Sequence, residues 1–119
     1  MAALYPDYAV KTTGHSLGGA IAQLTAMMLT KKGFQVSMIN FGQPRVGDNA
    51  YAAFVEKKLP KMWRHVHHKD TVPHIPPENV PLEQFLHSAN EIYEDAEGKT
   101  FKRCVGGEDR TCADQWHSW

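Results

Sequence analysis

Gly14-His15-Ser16-Leu17-Gly18-Gly19-Ala20 is the segment of this chain whose residue types and spacing most directly suggest chemistry. It fits Gly-x-Ser-x-Gly, a sharp strand-to-helix turn that presents a serine hydroxyl as a nucleophile. Such a serine holds strained backbone angles, and glycines two residues away let neighbouring backbone pass close. The plainer account of the same residues is a glycine-rich turn whose serine caps the helix. In the nucleophile account Ser16 lies at a helix N-terminus, where free N–H groups favour developing negative charge.

The flanking sequence predicts the elements this turn requires. Residues 8–13 read as a short β-branched strand and residues 19–32 as a helix. Strand 35–41, helix 48–58 and strand 62–68 continue the alternation, which implies a mostly parallel sheet with helices on its faces. Asp48 is placed to cap the second helix, with Tyr51, Phe54 and Val55 on its apolar face. In the first helix Ile21, Leu24, Met27 and Met28 are the expected core positions. Pro73 to Pro81 reads as a loop, and a hairpin of roughly 87–93 and 100–104, turning at Glu97-Gly98, closes the predicted order.

Composition narrows the classes. With 119 residues and a formal net charge of zero, the chain is one domain at most. Its lysines and arginines are scattered, which argues against nucleic acid. No apolar run reaches the ~18 residues needed to span a bilayer. Met1 to Asp7 shows no charged and apolar leader, so no signal peptide is expected in this stretch. Seven histidines raise a zinc alternative, since His65-Val66-His67-His68-Lys69-Asp70 approaches a His-x-His-x-Asp-His pattern. His65 and His67 share a strand face, but Lys69 stands where that pattern needs an aspartate and Asp70 where it needs a histidine. A lysine cation among zinc ligands is electrostatically wrong, so no metal is expected.

Two further segments, Phe41-Gly42-Gln43-Pro44-Arg45-Val46-Gly47-Asp48 and Asp70-Thr71-Val72-Pro73-His74-Ile75-Pro76-Pro77, follow the serine turn in order. Together with it they closely resemble the fungal-type (class 3) triacylglycerol lipases, and Phe85 to Tyr93 resembles the family strand after the aspartate loop. The resemblance implies a partial α/β-hydrolase fold with a mostly parallel sheet, flanking helices and a C-terminal hairpin. It implies that Ser16 is the nucleophile, that Asp70 orients the catalytic histidine, and that the N–H of Leu17 is an oxyanion donor. It also implies a Cys104–Cys112 disulfide, a lipid ester substrate taken at an interface, an extracellular setting and no cofactor. A disulfide closing so short a loop stabilises by ~2–3 kcal/mol in the chain-entropy model.

Against the family pattern, residues 1–119 are expected to represent the central and C-terminal part of the domain. Earlier strands and the lid have no counterpart here, which leaves strand 8–13 with an unpaired edge. The family's Asp-His-x-x-Tyr element is not found, so the catalytic histidine is expected beyond residue 119. His117 is the substitute within the chain, but it lies close to Cys112 and lacks the aspartate and tyrosine neighbours. A non-catalytic remnant that binds lipid or a partner is the alternative function.

Overall fold

The computed structural model describes residues 4–116. Its centre is a five-stranded sheet of β1 (Val10–His15), β2 (Val36–Phe41), β3 (Met62–His67), β6 (Glu91–Glu94) and β7 (Phe101–Arg103), hydrogen-bonded in that order. The first four strands run parallel, and β7 returns antiparallel to β6 with Ile92 opposite Arg103. Helix α1 (Leu17–Lys31) connects β1 to β2, and α2 (Asn49–Lys58) connects β2 to β3. The expected α/β order therefore holds. β1 pairs with β2 only, which leaves its other edge open among the described residues.

Alternation along the strands decides what they bury. Val36, Met38 and Met62 point to the helix side and pack with Ala26, Val55 and Leu59. A second cluster joins Val66 and Tyr93 to Cys104, Cys112 and Ala113. Cys104 and Cys112 form the expected disulfide, which ties the end of β7 to a short 3₁₀ turn at Ala113–Trp116. On α2 the Asp48 carboxylate accepts from the Tyr51 N–H at 2.8 Å, as its position before the helix predicts.

The helix faces differ from expectation. Ile21, Leu24 and Met28 are 55%, 45% and 63% exposed, and Phe54 is 52% exposed. The residues of α1 that meet the sheet are Gly19, Ala20, Ala22, Gln23 and Ala26. Small side chains let the helix axis approach β1 and β2 closely, so the larger residues point outward. Gln23 is buried on this face and is hydrogen-bonded to Ser88 and Tyr51. The proline-rich loop also carries more structure than predicted. It begins as a 3₁₀ turn at Val72–His74 and includes a two-residue antiparallel pair, β4 (Asn79–Val80) with β5 (Glu83–Gln84).

Candidate active site

Parallel pairing carries the ends of β1, β2 and β3 to one edge, with His15 opposite Phe41 and Phe41 opposite His65. Ser16 follows β1 directly. It holds φ 56° and ψ −129°, a region that L-residues occupy only under strain. Its side chain makes no capping hydrogen bond although it stands at the N-cap position. That separates it from an ordinary capping serine. Its backbone is fixed on both sides, because its N–H donates to the Phe41 carbonyl at 2.9 Å and its carbonyl accepts from Gly19 at 2.9 Å. Leu17 is the first helical residue, and its N–H belongs to the first turn, which has no intrahelical acceptors.

The two glycines of the motif are not equivalent. A Cβ on Gly14 would collide with the carbonyl group of Gly18, whereas a Cβ on Gly18 meets nothing within 4 Å. Gly14→Ala should therefore force the turn apart and cost ~1–3 kcal/mol or more, as overpacking does. Gly18→Ala should leave the fold unchanged or slightly stabilised, since alanine favours a helix. Chemical denaturation of the two variants checks this. Equal losses would show that the close approach does not govern the turn.

Asp70 follows β3, its N–H donating to the His67 carbonyl at 3.0 Å. One carboxylate oxygen, Oδ1, accepts from the Val72 N–H at 3.0 Å. The other, Oδ2, lies 2.6 Å from the point where a Cβ on Gly42 would stand, and the His15 Nε2 lies 3.8 Å from that point. Gly42 itself has φ 58°. It seats the Asp70 carboxylate by lacking a side chain, and it directly follows Phe41, whose carbonyl holds Ser16. Ser16 and Asp70 are thus brought to either side of the β2 end.

Below the Asp70 loop lies a buried charge cluster that the sequence reading did not anticipate. The Arg45 side chain is wholly buried and donates from Nε and Nη2 to the two carboxylate oxygens of Glu108, at 2.7 and 2.9 Å. Glu78 stands 3.5 Å and Asp114 3.8 Å from Nη2. Oxygens of Glu78, Glu108 and Asp114 lie within 4.8 Å of one another, an arrangement that could hold a cation, and the guanidinium is the cation they face. Alongside, Arg64 donates to the carbonyls of Ser88 and Gly107 and pairs with Glu91 at 3.7 Å. His87 is buried, and desolvation holds its pKa far below the usual histidine range. It is therefore neutral, and its Nε2 proton is donated to the Pro73 carbonyl at 2.7 Å.

The acidic pair in this cluster makes stability depend on pH. Burial, then the hydrogen bond and negative charge of Glu108, push the Asp114 carboxyl up to about 8. Burial acts on Glu108 in the same sense but is outweighed by Arg45, so that carboxyl is held low, at about 2. Asp114 thus enters the folded state as the protonated donor to Glu108. Its pKa is raised on folding, so its contribution is complete below about pH 4 and is lost as pH rises toward about 8. Thermal unfolding between about pH 5 and pH 8.5 should show stability falling with pH, and Asp114→Asn should flatten that slope. Parallel curves for the two proteins would exclude Asp114 as the source.

The zinc alternative finds no geometry. His65 Nε2 is bonded to Glu94 at 2.8 Å, and among the described residues no group of three potential ligands within reach of one another includes a histidine. No helix among the described residues is long and apolar enough to cross a membrane. Trp116 donates from Nε1 to the Tyr93 hydroxyl at 2.7 Å and lies against His68 and Lys69, next to the Asp70 loop. His117, the substitute base, lies outside the described residues.

A strained, non-capping serine and a seated carboxylate thus flank the β2 end. The model for "Lipase (class 3)" matches residues 1–80. The chain belongs to the class 3 lipases. It is 42% identical over 72 residues to secreted mono- and diacylglycerol lipase 1 of Fusarium solani, covering 60% of this chain and 22% of that protein. With a lipase of Rhizomucor miehei it shares 43% identity over 94 residues, covering 75% of this chain and 25% of the other. Its fold superposes with a TM-score of 0.83 on a triacylglycerol lipase whose catalytic centre is formed by a serine protease triad. That pair is 36% identical, over 96% of this chain and 44% of the solved one. The lipase chain described here therefore spans about a quarter of the curated relatives and under half of the solved chain.

Proposed function

We propose that this lipase segment supplies the nucleophile and the orienting acid of a serine carboxylic-ester hydrolase acting on lipid esters, as part of a larger α/β-hydrolase domain. The observation that carries this is the strained Ser16, which does not cap its helix and shares the β2 end with the Asp70 carboxylate. In this reading an imidazole base takes the hydroxyl proton as Ser16 Oγ attacks the ester carbonyl. The Leu17 N–H donates to the oxyanion that forms, and Asp70 stabilises the imidazolium. The imidazolium returns its proton to the departing alcohol, leaving an acyl-serine that water cleaves by the same route. No step requires a metal or an organic cofactor. The names of the relatives support lipid esters as substrates, taken at an interface, and that of the Fusarium solani protein supports an extracellular setting.

A serine-directed alkyl phosphonate tests the reading. At the protein's full natural length it should add one phosphonyl group to Ser16, located by peptide mass spectrometry, and Ser16→Ala should take up none. A protein that stays unlabelled while a control fungal lipase is inactivated would instead be a non-catalytic relative that binds lipid or a partner.

A further inference from the structure

Resting on the reading of Asp70 as the orienting acid, we propose that Arg45 is a positioning residue for that carboxylate, held in place by Glu108 from the disulfide-closed loop. Asp70 is followed at once by the 3₁₀ turn Val72–His74, and the Val72 N–H is the donor that fixes one carboxylate oxygen. Arg45 grips the far end of that turn through three consecutive carbonyls. Its Nη1 donates to the carbonyls of His74 and Pro76 at 2.8 and 2.9 Å, and its backbone N–H donates to that of Ile75 at 2.8 Å. Arg45 also lies three residues beyond Gly42, the seat of the other carboxylate oxygen. One short turn therefore forms the floor under the carboxylate and the clamp on the loop that carries it.

A fully buried guanidinium is strongly unfavourable unless its donors are matched, and this one is matched by a planar two-oxygen contact with Glu108. A lysine cannot reproduce that fork together with the two loop carbonyls. Glu108 also accepts from the His87 N–H at 2.9 Å, and the His87 ring bonds to the Pro73 carbonyl, so the counter-ion is tied to the same loop from its other side.

A buried ion pair could equally serve folding alone, and a double-mutant cycle separates the two roles. At full natural length, with a soluble nitrophenyl ester, Arg45→Met should lower kcat by ~10–100-fold, as small misplacements at a site do, with KM changed less than about twofold. In an Asp70→Asn background the same substitution should lower kcat by less than about twofold, because the group it positions is already lost. Arg45→Lys should recover only part of the rate. If Arg45→Met does not fold, Glu108→Gln replaces it in the cycle, leaving the guanidinium with a neutral acceptor of the same shape. Rate losses that multiply across the two backgrounds would overturn the proposal and leave Arg45 a stability residue. An Asp70→Asn protein with full activity would instead refute the role of Asp70, and the two failures are distinct.

Discussion

Ser16→Ala, made at the protein's full natural length, is expected to lower ester turnover on the order of 10⁵-fold or more. Among the described residues Ser16 is the one hydroxyl side chain on a positive-φ turn at the start of an α-helix, and Thr71, at the head of the 3₁₀ turn, has ordinary helical backbone angles. Residual activity should reflect only binding and oxyanion donors. The fold should survive. The hydroxyl makes no capping bond, and alanine meets the same backbone penalty at φ 56° that serine already bears. Unfolding free energy should stay within about 0.5 kcal/mol of the parent. Turnover within about tenfold of the parent would remove Ser16 from the mechanism.

For Asp70→Asn the expected loss is about 10⁴-fold in kcat, again with the fold retained. The amide oxygen can still accept from Val72, and the side chain still fits the space left by Gly42. What changes is the partner it offers an imidazole. A carboxylate accepts the Nδ1 proton and stabilises the cation, whereas an amide NH₂ favours the opposite tautomer. Pre-steady-state measurements should show slowed acylation with substrate binding preserved. An equal loss in binding and acylation would mean that the substitution has collapsed the loop rather than altered the base.

The strained turn at Ser16 is legible because its neighbours along the chain announce it, whereas Asp70 stands out only through the resemblance of its segment to the lipase family. A strand, a glycine and a helix start identify the serine, and the prolines after Asp70 identify a rigid loop. The Asp48 cap is legible for the same local reason. The buried face of α1 is not. Periodicity assigns large apolar side chains to the core, but here Gly14 and Gly18 meet backbone to backbone and only small residues fit between helix and sheet. Arg45, Glu108 and Asp114 are harder still. Arg45 and Glu108 stand 63 residues apart, and either one read alone would be assigned to solvent. Only the fold shows that they neutralise each other.

That separation has a consequence for the order in which the site matures. Ser16 leaves the ribosome before Glu108, and its turn needs only Gly19 and the β2 end at Phe41 to be held. The Asp70 loop then emerges with Arg45 beneath it, but the guanidinium still lacks the carboxylate that makes its burial favourable. Glu108 arrives only with the segment that Cys104–Cys112 closes. The Ser16 turn can thus take shape on the nascent chain before the Asp70 loop has a complete ion pair beneath it. Docking of one late loop is the event that completes the ion pair under the Asp70 turn.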